Sequence, residues 1–133
     1  MAIPQTTPQE AQKLLQTGYR YIDVRTEAEF ANGHPSSAVN IPVAVPDATT
    51  HQMVLNPDFV KVVEAHFPKE QPIVLGCQSG GRSQHAAQMM AAVGYTQVVN
   101  MQGGWGVWLD CGLPVCGQCA AGATYGELHA KLG

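Results

Sequence analysis

One stretch constrains this chain more than any other: the apolar run Ile73-Val74-Leu75, bounded by Pro72 and Gly76, which delivers Cys77 into the small-residue segment Gln78-Ser79-Gly80-Gly81. A short apolar run between turn-forming residues reads as a buried strand. From Ser83 the pattern turns helical, with His85, Ala86, Ala87, Met89, Met90 and Val93 before Gly94 stops it. Cys77 is therefore expected between the carboxyl end of a strand and the amino end of a helix.

That placement has a chemical consequence. The first N–H groups of a helix lack intrahelical partners and the macrodipole is positive there, so an anion is favoured. A thiolate is such an anion. Ser79, Gly80 and Gly81 let the backbone curl until successive N–H groups face inward as a nest, and Arg82 closes the ring with a fixed positive charge. Cysteines in such surroundings titrate at roughly 3.5–7.5, so Cys77 is expected to be a thiolate nucleophile near neutral pH. The plainer alternative is a buried structural cysteine beside an ordinary glycine-rich turn.

The same frame extends along the chain. Thr7-Pro8-Gln9-Glu10 has the form of a capping box and predicts a helix over residues 8–17. Residues 19–24 read as a strand whose carboxyl end carries Asp23 and Arg25. Thr26-Glu27-Ala28-Glu29 repeats the capping-box form for a short helix. Asp23, Arg25 and Glu29 suit either an ion-pair cluster that braces the loop or direct contact with a substrate. Gly33-His34-Pro35-Ser36-Ser37 reads as a turn in which His34 is hydrogen-bonded and structural rather than a base. Further strands are expected over residues 38–41 and 97–101, with residues 43–55 as a connecting loop and helices opening at Asn56-Pro57-Asp58 and Gly103-Gly104-Trp105. Strands alternating with helices predict an α/β domain: an open, mainly parallel central sheet of about five strands with helices on both faces. The cysteine loop then lies at the sheet's carboxyl edge, where such folds place their ligands.

Composition narrows the partners. A chain of 133 residues suits one domain, and a net charge of –3 with 13% charged residues leaves no basic stripe for nucleic acid or an anionic membrane. No apolar run reaches membrane-spanning length, and the first five residues lack the regions of a secretory signal, so a soluble, cytoplasmic protein is expected. Three of the four cysteines, Cys111, Cys116 and Cys119, cluster late. They suit incidental thiols, a redox pair that resolves Cys77, or, with His129, a metal site. The first reading carries most weight, so no metal or other cofactor is expected.

The pattern Cys77-x-x-Gly80-x-Arg82-Ser83 resembles the active-site loop of the rhodanese family of sulfurtransferases. Two further stretches agree with it. Residues 21–30, followed by Gly33-His34-Pro35 and Ala38-Val39-Asn40-Ile41-Pro42, resemble the family's N-terminal signature, and Gly94-Tyr95 to Gly103-Gly104-Trp105 resembles its C-terminal one. The match covers about residues 3–115 and implies a rhodanese-like catalytic domain over residues 1–115, with residues 116–133 as a tail that is not an independent domain. It implies an enzyme that moves sulfane sulfur from a donor such as thiosulfate, or a protein persulfide, to cyanide or a thiol through a Cys77 persulfide. Gln78, Ser79, Gly80, Gly81, Arg82 and Ser83 would form the substrate loop, with Asp23, Arg25 and Glu29 in support. The family also contains inactive carrier or regulatory domains, which usually lack the cysteine. A Cys-dependent phosphatase or arsenate reductase of related design is the other alternative, but the cell-cycle phosphatases that share this fold resemble a loop one residue longer, whereas four residues separate Cys77 from Arg82 here.

Overall fold

The computed structural model describes residues 3–36, 38–78, 80–116 and 123–130. Strand β1 (Gln5–Thr6) enters helix α1 (Pro8–Leu15), whose cap Thr7 accepts the Glu10 N–H and whose first position is proline. Strand β2 (Arg20–Asp23) leads through the Thr26 capping box into α2 (Glu27–Ala31). Then come β3 (His34–Pro35), β4 (Val39–Asn40), β5 (Ala44–Pro46), β6 (Met53–Leu55) and α3 (Phe59–His66). The chain continues through β7 (Ile73–Gly76), α4 (Gly81–Ala92), β8 (Val98–Met101) and α5 (Gly104–Asp110) to β9 (Val115–Cys116) and α6 (Tyr125–Ala130).

Five of these strands form a parallel sheet in the order β1-β8-β7-β2-β4. Parallel connections are right-handed, so crossovers that step in opposite directions place their helices on opposite faces. The steps through α1 and α2 run one way across this sheet, and those through α3 and α4 run the other. Helix α5 packs on α1 and α6 packs on α3. Between two helical layers β7 is wholly buried: Ile73, Val74 and Leu75 have no exposed surface. That double coverage is why its sequence is apolar without alternation.

Three local expectations are corrected. Residues 43–55 are not a plain loop: β5 and β6 pair antiparallel, with Val45 opposite Val54. Met53, Val54 and Leu55 are exposed, so no alternation of buried and polar positions marked the pair. The turn at Gly33–Pro35 is also a strand, β3, whose His34 lies opposite Cys116 of β9. Helix α4 begins at Gly81 rather than Ser83, so Arg82 lies within its first turn. Leu128 of α6 is buried against the domain. Among the described residues no helix is long and apolar enough to cross a membrane.

Gly76 is where the sheet approaches itself most closely. A Cβ there would overlap the Tyr21 hydroxyl, which is itself buried. Overpacking of this kind costs about 1–3 kcal/mol. Gly76→Ala is therefore expected to lower the urea midpoint and to displace Cys77, whereas Gly18→Ala, which meets no neighbour, should leave the loop in place and carry only the strain of its positive φ. Equal reactivity of Cys77 in wild type and Gly76→Ala would contradict this account of the position.

Candidate functional site

Cys77 follows β7 directly and is 2% exposed. Its loop turns through Gly80, whose φ of +108° lies in the left-handed region that glycine tolerates. This turn brings the Gly80 N–H to 3.0 Å from the Cys77 sulfur. The Ser83 hydroxyl lies 3.5 Å from the same sulfur, and both residues belong to the start of α4. A sulfur so placed faces a backbone donor and the positive end of a twelve-residue helix. Of the other loop residues, Gln78 is exposed, Gly81 opens α4, and Ser79 lies outside the described residues.

The loop is held from behind. The Trp105 N–H donates to the Cys77 carbonyl at 2.8 Å. Gly104, at φ +59°, sits so close that a Cβ would overlap the Cys77 carbonyl oxygen and the Gln78 backbone. Gly103-Gly104-Trp105, legible as a signature, thus acts as the brace of the cysteine loop.

Asp23 and Arg25 form a buried pair, 1% and 3% exposed. The Arg25 guanidinium donates to Asp23 Oδ2 at 2.7 Å and Oδ1 at 3.0 Å, and to the Gly33 carbonyl at 2.6 Å. Its plane lies over Trp105, 4.9 Å from the ring centre. Asn40 Nδ2 donates to the Asp23 and Arg25 carbonyls. These contacts describe a brace, with both charges matched inside the protein.

Arg82 makes a second pair across the front of the loop. Its Nη1 donates to Glu29 Oε1 at 2.8 Å and its Nη2 to Oε2 at 3.1 Å. Glu29 also closes the α2 capping box, accepting the Thr26 N–H at 3.0 Å. The Arg82 hydrogen bonds outweigh partial burial and pull the Glu29 carboxyl down to about 2. The same bonds raise Arg82 above its ordinary value. The guanidinium's charge is therefore already matched by a carboxylate, rather than standing alone over the sulfur.

Behind the sulfur lies a polar chain that sequence reasoning did not assign to the site. Ser83 and Asn100 are buried, and the Ser83 hydroxyl makes a short hydrogen bond to Asn100 Oδ1. Asn100 Nδ2 donates to Gln5 Oε1 at 2.8 Å. The available signal was a carboxamide inside the otherwise apolar run Val98-Val99-Asn100-Met101. An open cleft of about 430 Å³ lies beside it, lined by Gln5, Gly80, Gly81, Gln84, Asn100 and Gln102, with no ionisable side chain among these. A wider groove of about 520 Å³, around Tyr19, Tyr95 and Val98, contributes no residue to the cysteine loop.

The remaining candidates lie elsewhere. His34 is buried, 2.8 Å through Nδ1 from the Phe30 carbonyl and stacked on the Phe30 ring. His129 Nε2 lies 2.9 Å from Asp58 Oδ2. Cys111 is exposed, and Cys119 lies outside the described residues. Among the described residues no three His, Cys, Asp or Glu side chains cluster to hold a metal ion.

A family model described as "Rhodanese-like domain" matches residues 7–111. The chain is 40% identical over 114 residues to Rhodanese-like domain-containing protein 15, chloroplastic, of Arabidopsis thaliana, covering 85% of this chain and 62% of that protein. It is 43% identical over 104 residues to Thiosulfate sulfurtransferase 16, chloroplastic, of the same plant, covering 78% and 85%. The crystal structure of Rv0390 from M. tuberculosis superposes with a TM-score of 0.75 at 26% identity, covering 89% of this chain and all of that one.

The Glu29–Arg82 pair has a pH signature. A carboxyl depressed in the folded state stabilises it at pH values above its unfolded titration, and that contribution is lost as pH falls through the folded value. For Glu29 the window runs from the ordinary carboxyl range down to about 2. Glu29→Gln is expected to flatten the fall in urea midpoint between roughly pH 5 and 2 relative to wild type. Parallel curves would show that the pair adds nothing to stability.

Proposed function

Since this chain belongs to the family of rhodanese-like domains, we propose that it is a sulfurtransferase that moves sulfane sulfur through a persulfide on Cys77. The observation that carries the reading is the Gly80 N–H, 3.0 Å from the Cys77 sulfur at the amino end of α4. An oriented backbone donor and a helix terminus stabilise a charged sulfur without reorganising during reaction. Relatives named thiosulfate sulfurtransferase, at about 40% identity, support the same chemistry.

In the first half-reaction the Cys77 thiolate attacks the outer sulfur of thiosulfate. A new S–S bond forms at Cys77, the old S–S bond breaks, and sulfite leaves with the electron pair. The Cys77 persulfide then carries the negative charge at its outer sulfur, within reach of the α4 dipole. In the second half-reaction cyanide or a thiolate attacks that outer sulfur and Cys77 departs as thiolate, which gives ping-pong kinetics. Gly104 and the Trp105 N–H keep the loop rigid through both steps, because they hold the Cys77 backbone and leave its sulfur to react.

A phosphate cradle would use Arg82 differently. Recognition of a tetrahedral dianion favours a guanidinium whose fork is open to it, and here the fork of its two terminal nitrogens is taken up by Glu29. Sulfur transfer asks less of that cation, because backbone N–H groups meet the charge at the reacting atom.

Brief incubation of the reduced protein with thiosulfate is expected to add one sulfur, about 32 Da, to the intact mass as a persulfide. Cyanide should remove it with release of thiocyanate. Cys77→Ser is expected to show neither event while retaining the wild-type circular dichroism. Loading that persists in Cys77→Ser would move the chemistry to another thiol, and no loading of wild type by thiosulfate or an organic persulfide would overturn the reading.

A further inference from the structure

We propose that Asn100 is a positioning residue that holds the Ser83 hydroxyl hydrogen away from Cys77, so that the resting thiol faces an oxygen lone pair where a donor would otherwise stand. A hydrogen-bonded chain whose far end is a backbone carbonyl has a fixed polarity. Gln5 Nε2 lies 3.0 Å from the Ile3 carbonyl, which only accepts. The Gln5 nitrogen must face it, and its other hydrogen goes to Gln84 Oε1 at 2.6 Å. Gln5 Oε1 is then turned to Asn100 and accepts from Nδ2 at 2.8 Å. Asn100 is left with only Oδ1 to present to Ser83.

A serine hydroxyl has one hydrogen and two lone pairs. Three acceptors surround this one: Asn100 Oδ1, the Gly80 carbonyl at 3.2 Å and the Cys77 sulfur at 3.5 Å. The Asn100 contact is the shortest, and oxygen is a better acceptor than thiol sulfur, so the hydrogen lies there. Ser83 then offers a lone pair to the sulfur, which suits an S–H donor. Two opposing influences meet at Cys77: the Gly80 N–H and the helix terminus favour the anion, and the clamped hydroxyl favours the thiol. Asn100 thereby keeps the unloaded thiol less reactive.

The charged and titratable groups around this centre come from three other places. Tyr21, Asp23 and Arg25 stand at β2, Glu29 on α2 and Arg82 on α4; burial pushes the Tyr21 phenol up and keeps it neutral. None of them touches Asn100 through a hydrogen bond, so replacing it changes the hydroxyl and leaves the charges in place.

The test is the pH dependence of Cys77 alkylation by iodoacetamide, with the alkylated residue identified by mass. Asn100→Leu keeps the shape and removes the acceptor. Its midpoint is expected to fall, giving roughly three- to tenfold faster alkylation below the wild-type midpoint, where a tenfold rate corresponds to one pKa unit. Ser83→Ala supplies an independent arm. A hydroxyl that ordinarily donates to sulfur would raise the midpoint when removed, whereas a clamped one leaves it unchanged or lower. A midpoint that rises in Ser83→Ala, or one that stays or rises in a folded Asn100→Leu, overturns the proposal. The inference rests on Cys77 as the sulfur carrier for its bearing on turnover. Alkylation reads the thiol directly, so failure of thiosulfate to load the protein would sink the transfer reading and leave this result standing.

Discussion

The architecture around the Cys77 sulfur depends on one buried ion pair. Asp23 and Arg25 are almost wholly withdrawn from water, a placement whose desolvation cost is offset only by close, multiple hydrogen bonding. The pair meets that condition, and Arg25 also donates to the Gly33 carbonyl and lies over Trp105. Trp105 in turn grips the Cys77 carbonyl. A continuous line of contacts therefore runs from the end of β2 through α5 to the loop. Removing one partner of such a pair typically costs about 3–5 kcal/mol, so the brace and the reactive loop stand or fall together.

Charge at the site is arranged in matched couples. Arg25 is answered by Asp23 and Arg82 by Glu29, and the adjoining cleft is lined by carboxamides and glycine backbone. Among the described residues, oriented dipoles meet the sulfur: the Gly80 N–H and the amino end of α4. Dipoles of this kind favour a charge at one point without raising the net charge of the mouth. In the proposed sulfur transfer, where anions both arrive and depart, that arrangement would help the step at sulfur without trapping the leaving group.

Much of this was legible in the sequence, because it is local. The apolar run before Cys77, the two capping boxes and the stop at Gly94 each announce themselves within a few residues, and together they define the order of strands and helices. The two antiparallel strand pairs were hidden for the opposite reason. His34 and Pro35 are a strand only because Val115 and Cys116 lie beside them, and the β5–β6 pair sits outside the core, where burial leaves no periodicity. The site divides in the same way. Cys77 and its glycines declare themselves by pattern, and Arg82 was legible as a cation near the loop. Its capture by Glu29, 53 positions away, and the role of Asn100 arise only once the strands are side by side.

The outermost parallel strand carries a consequence for how the protein is made. Gln5 meets Asn100 across 95 positions, so β1 has no place in the sheet until β8, its partner, has been synthesised. Pairings of such long range are slow to form, because the loop must close before any contact rewards it. During that interval Cys77 has already been synthesised, while Gly104 and Trp105 are among the last parts of the domain to emerge. The nascent thiol thus passes through a period without its brace, in which its protection from oxidation falls to the reducing power of its surroundings.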